Sequence, residues 1–192
     1  MPRKQREERM LAAAEQVFGA RGFRGASMEE IAQRSGITKA LLYQYFDSKE
    51  RLYEACVQRE RDHLFLRIET AVARAPTPVE QLRVFVTTYF DFLAEHRSAW
   101  WLLYGEASAR TINDIRARNA EFIVGLLRAT VESGDGRANR QTLELVAHAL
   151  VGAGEQVGRW FVERPQVSRK VVAQRFAAVA QGAIGAAFDD AG

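Results

Sequence analysis

The chain has 192 residues, 47% hydrophobic and 27% charged, with a formal net charge of +3. This is the composition of a soluble globular protein of one or two compact domains, and it excludes a polycation that binds by bulk charge. A single cysteine, Cys56, excludes an intrachain disulfide and a cysteine cluster for zinc.

Taken in chain order, Arg3, Lys4, Arg6 and Arg9 crowd the N-terminus, with Glu7 and Glu8 partly cancelling them. An arm that reaches phosphate and a solvated helix start both account for this charge. A first helix follows, with Leu11, Ala14 and Phe18 inward. Ser27 and Glu30 form a capping box, so a second helix is expected from Met28, with Met28, Ile31 and Ala32 as its inward stripe. Ser35-Gly36 stops it, since glycine takes the left-handed conformation easily. Ile37 then plugs the turn and Thr38 is a good N-cap. The next helix turns Leu42 and Phe46 inward and leaves Lys39, Ala40, Tyr43 and Gln44 on the other side. Asp47 with Glu50 reads as a further capping box. Two short helices meeting at a glycine, the second rich in groups suited to DNA, have the form of a helix-turn-helix.

The remainder reads as longer helices with short breaks. One runs from about Ser48 to Arg74, with Leu52, Cys56, His63, Leu66 and Ile68, and ends before the connector Pro76-Thr77-Pro78. The next runs from Val79 to about His96, with Leu82, Phe85, Val86, Tyr89, Phe92 and Leu93 as its stripe. Ser98 is read as the cap of a short aromatic helix, residues 99–104, that fades towards Arg110. A helix from Asn113 to Glu132 precedes a loop at Ser133-Gly134-Asp135-Gly136. Two apolar helices close the chain, Arg140 to Glu163 and Ser168 to Phe188, separated by Arg164-Pro165. No convincing strand or internal repeat appears, and no apolar run approaches transmembrane length. No signal core stands at the N-terminus, so a cytoplasmic protein without membrane attachment is expected.

The first of these segments resembles the DNA-binding domain of the TetR family of bacterial transcription regulators. The resemblance runs from about residue 6 to residue 55. It rests on Leu11, Ala14 and Phe18, Gly22-Phe23, Ser27-Met28, Ile31-Ala32, Gly36-Ile37-Thr38, Leu42-Tyr43, Tyr45-Phe46, Ser48-Lys49-Glu50 and Leu52. Ser35 and Leu41 depart from it in a minor way. The resemblance implies an all-α fold of about nine helices. A three-helix DNA-binding domain would occupy residues 4–64, with its helix-turn-helix at 27–46. A helical ligand-binding and dimerisation domain would occupy 65–192. The expected partners are a palindromic double-stranded operator, a second copy of the chain held by the last two helices, and a small-molecule effector. A protein-controlled or ligand-free regulator, or an activator, would carry the same head.

Residue chemistry and family position together assign the DNA contacts. Ser27 and Thr38 stand at helix N-termini, where amides and hydroxyls suit phosphate oxygens. Lys39 can reach guanine or a phosphate, and Ala40 permits close approach and can touch a thymine methyl. Tyr43 and Tyr45 offer hydroxyls to the backbone, and Gln44 can pair with adenine or a phosphate. Lys49 resembles the family's phosphate-binding lysine.

Candidates for an effector pocket are Phe85, Tyr89, Phe92, Trp101, Tyr104, Phe122, His148, Gln156 and Trp160, although aromatics at helical spacing also read as core. His148, Glu155 and Arg159 fall near one face of an apolar helix. They suit a pocket, a polar patch at a dimer seam, or a plain Glu155–Arg159 pair. The last two helices leave little polar face, and a two-fold bundle of two copies would cover them. The sequence lacks metal-ligand spacing, a phosphate-binding glycine loop and a nucleophile elbow. No cofactor, metal or enzymatic activity is therefore expected.

Overall fold

The computed structural model describes residues 2–105, 109–133 and 139–188. Among them the chain forms nine α-helices and a π-helical turn, with no strand. The helices are α1 (Arg3–Gly25), α2 (Met28–Ser35), α3 (Lys39–Phe46), α4 (Lys49–Val72), α5 (Pro78–Glu95), α6 (Arg97–Trp100), α7 (Ala109–Ser133), α8 (Arg140–Val162) and α9 (Arg169–Phe188). The π turn is Trp101–Gly105. The all-α expectation holds. Two compact units are formed, Met1–His63 with His96–Ala109, and Leu64–Glu95 with Arg110–Gly192.

In the first unit, α1 buries Met10, Ala13, Ala14, Val17 and Phe18 at helical spacing. It is helical from Arg3, so the basic N-terminus is part of a helix and not a free arm. Near its end Gly22 adopts φ 68°, a conformation that glycine tolerates, and kinks the helix. Phe18, Phe23 and Tyr53 then cluster, with ring centroids 5.0–6.1 Å apart. The Ser27 hydroxyl accepts from Glu30 N at 3.2 Å, and Thr38 does the same for Leu41 N. Both of these N-caps are as read from the sequence. Met28, Ile31, Ala32, Leu42 and Phe46 are buried.

The capping box at Asp47 is corrected. Asp47 ends α3 with φ 56°, and Ser48 caps α4 by accepting from Arg51 N at 3.1 Å. Asp47 is occupied by the turn, its amide bonded to Tyr43 O, so the neighbouring hydroxyl takes the cap. Ser98 is not a cap either. Helix α6 starts at Arg97 after His96, and Ser98 packs against Gly19 so closely that a Cβ there would collide with it.

In the second unit, Pro78 takes the first position of α5, where its missing N–H costs nothing, and Thr77 caps by accepting from Glu80 N. Leu82, Ile123, Leu127, Leu143, Val146, Ala147, Leu150 and Ala180 form a continuous core, with Phe85 and Ile184 packed on its margin. Asn139 caps α8 by accepting from Thr142 N at 3.0 Å. Glu155 and Arg159 do not pair. Arg116 of α7 holds Glu155 with two bonds of 2.7 and 2.8 Å, and Arg159 pairs with Glu163. The fork geometry of a guanidinium across two helices outcompetes the neighbour one turn away. Helix α9 is long and apolar enough to meet the criterion for a spanning helix, contrary to the reading of the sequence. Its buried side, including Val172, Ala173, Ala177 and Ala180, serves the unit's packing. The loop expected at 133–136 lies, after Ser133, outside the described residues.

Candidate nucleic-acid interface

Helix α3 is split cleanly by its own pattern. Leu42 is fully buried and Phe46 nearly so, while Thr38, Lys39, Ala40, Tyr43 and Gln44 are exposed. The exposed set lies on successive turns of one side. It combines a cation, a small side chain, a phenol and an amide, the inventory needed for phosphate oxygens and base edges. Lys39 Nζ is 3.4 Å from the Glu29 carboxylate, an exposed pair that costs little to break. Gly36 takes φ 67° and its amide bonds back to Ala32 and Gln33 oxygens, so the chain reverses into α3 within three residues. Ser35 is buried but satisfied, its hydroxyl donating to Ile31 O at 2.6 Å.

Tyr45 and Lys49 also have partners inside the unit. Tyr45 is half-buried; its hydroxyl accepts from Arg6 Nη1 at 3.4 Å, and the Arg3 guanidinium stands 5.5 Å from the ring centroid. Lys49 donates to Ala26 O at 2.7 Å and to Arg24 O at 3.5 Å, with its ammonium over the Phe23 ring at 4.6 Å. It therefore ties the end of α1 to the start of α4 and sets positive charge beside Ser27. Sequence reasoning missed what Arg9 does. Its Nη2 donates to Ser35 O, the last carbonyl of α2, at 2.9 Å. The available signal was the three-residue spacing of Arg3, Arg6 and Arg9, which puts all three on one face of α1.

A carboxyl pair was also missed. Glu15 of α1 and Glu60 of α4 lie close together within the first unit, with Glu15 Oε1 and Glu60 Oε2 buried and without hydrogen-bond partners. Burial, then the negative Glu60, pushes the Glu15 carboxyl up to about 7. Arg59 opposes this, its Nε 3.5 Å from Glu15 Oε1. Burial also pushes the Cys56 thiol strongly up, so it is an inert core group.

The aromatic candidates for an effector site separate between the units. Trp101 and Tyr104 belong to the π turn of the first. Trp101 lines a cavity of about 420 Å³ with Phe18, Phe23, Tyr53 and Leu102. In the second, Phe92 is wholly buried, Phe85 stacks on Phe122 at 5.7 Å, and the Tyr89 hydroxyl donates to Gly154 O at 3.4 Å. His148 lines a surface groove of about 500 Å³ between α7 and α8, whereas Gln156 and Trp160 are exposed on α8.

Residues 10–56 match the family model described as bacterial regulatory proteins, tetR family, and residues 78–185 match one described as the tetracyclin repressor-like C-terminal domain. The chain belongs to the TetR family. Among TetR-type structures, a TetR-like transcriptional regulator from Rhodococcus sp. RHA1 is 34% identical, with a TM-score of 0.79 covering 94% of this chain and 96% of that one. The transcriptional repressor KstR2 of Mycolicibacterium smegmatis is 28% identical over 188 residues, covering 93% of this chain and 90% of that protein. The transcriptional activator FasR of the same organism is 38% identical over 104 residues, and the chain spans about half of its length (48%). The helix-turn-helix falls inside the first TetR match, and the protein is a DNA-binding transcription regulator.

Proposed function

We propose that this TetR regulator acts in the cytoplasm as a homodimer on a palindromic operator, and is released from it by a small, flat, apolar ligand. The observation that carries the DNA half is the division of α3, in which Lys39, Ala40, Tyr43 and Gln44 are exposed while Leu42 and Phe46 are buried. In this reading Lys39, Ala40 and Gln44 meet base edges. Ser27, Thr38, Tyr43, Tyr45 and Lys49 meet the phosphate backbone, which fixes register. A single recognition helix covers only a few base pairs, and two heads related by a dyad read half-sites about one helical turn or more apart.

The pairing surface is α8 with α9. Leu145 is 70% exposed and Val179 61%, a large apolar area for the outside of a helix pair. Gly152 and Gly182 have open space where a Cβ would stand, which lets a second backbone approach. Two copies would close this surface as a four-helix bundle. The effector is assigned to the second unit, against Phe85, Tyr89 and Phe122. It acts by binding the two arrangements of the dimer unequally. Control by a protein partner is the other reading, and a thermal-shift screen with and without operator separates the two. Selection of bound sites from random DNA tests the main proposal. An inverted repeat is expected.

A further inference from the structure

We propose that Arg9 and Arg6 are positioning residues that set the pose of the recognition helix from behind, gripping the chain at its two ends. Arg9 Nη2 holds the Ser35 carbonyl at 2.9 Å, just before the turn into α3. Arg6 Nη1 holds the Tyr45 hydroxyl, in the last turn of α3, at 3.4 Å. These partners lie 26 and 39 residues away in sequence, so each bond fixes one end of the reading element to α1.

The need for such a grip follows from the turn. Gly36 N bonds to Ala32 and Gln33 oxygens and Ile37 N bonds to Ala32 O, so these turn amides do not take the Ser35 carbonyl. A guanidinium is suited to that position, because it meets the negative end of the α2 dipole. Arg9 also lies close over Gly36, where a Cβ would stand only 3.0 Å from Nη2. The turn that aims α3 is therefore clamped between its own left-handed glycine and a side chain of another helix. A small rotation of α3 would move Lys39 and Gln44 off the base edges while leaving phosphate attraction nearly intact, since hydrogen bonds to bases are directional and charge attraction is not.

The test compares the full-length protein with Arg9→Ala on its selected site and on an unrelated duplex, each over a series of salt concentrations. Positioning predicts a loss of about tenfold or more on the selected site, equivalent to about 1.4 kcal/mol. It also predicts affinity for the unrelated duplex within about twofold and an unchanged salt slope. A phosphate contact would instead lower both affinities together and flatten the slope by about 0.9. That result, or unchanged affinity on the selected site, overturns the proposal. Should the alanine variant fail to fold, Arg9→Lys keeps the charge but replaces the planar fork, and an operator-specific loss is again expected. For Arg6, the double variant with Tyr45→Phe is expected to cost no more than the larger single change. Additive losses would mean that Arg6 acts elsewhere.

Discussion

Glu15 is half-buried on α1 beside Glu60, and burial is the main reason that it keeps a proton. Its pKa is raised from 4.5 to about 7. A carboxyl that binds its proton more tightly when folded stabilises the fold fully below about pH 4.5. That contribution declines as pH rises and is lost above about 7. The effect is on the order of 3 kcal/mol at most. The unfolding temperature should therefore fall between pH 5 and pH 8, and Glu15→Gln should flatten the fall; a parallel curve in the variant would remove the pair from the pH dependence. Two lysines of the interface should also separate. Lys39→Ala is expected to change the selected DNA sequence, because Lys39 projects from the exposed start of α3. Lys49→Ala is expected to weaken binding to all sequences and reduce the salt slope by about one. An unaltered motif or an unaltered slope, respectively, would contradict these assignments.

The helix-turn-helix depends on one backbone conformation, the left-handed Gly36 between α2 and α3. Gly36→Ala forces a side chain into φ 67° and against Arg9, and should cost about 1–2 kcal/mol or more, read by thermal unfolding. Full stability in that variant would mean that the turn is looser than its geometry. Elements of this kind were the legible part of the sequence. The caps at Ser27 and Thr38, the glycine stop and the Leu42/Phe46 stripe all act over three or four residues, and so they are written locally. The Asp47 cap was misread because Asp47 and Ser48 are both good caps, and only the closure of the turn onto Tyr43 O decides between them. The partners of Arg9, Tyr45 and Glu155 were illegible for a different reason. Each joins helices far apart in sequence, where spacing carries no information. The π turn at Trp101–Gly105 likewise has no local signature, since the same residues suit an ordinary helix.

For the whole molecule, the TetR assignment explains why a chain of mild net charge can bind DNA specifically. In the dimer proposed above, two heads in fixed relation multiply the sequence read by one. The exposed apolar residues of α8 and α9 then have a purpose. Leu145→Glu, at a position 70% exposed in the single chain, should leave the fold intact and shift the sedimentation profile towards monomer. Dimers at micromolar concentration in that variant would place the interface elsewhere. The central claim is that this chain is half of a dyad-symmetric reader. Site selection from random DNA by the full-length protein tests it most directly. The account predicts an enriched inverted repeat with half-site centres about one helical turn or more apart, bound by two chains. Enrichment of a non-palindromic site, or of none, would contradict it.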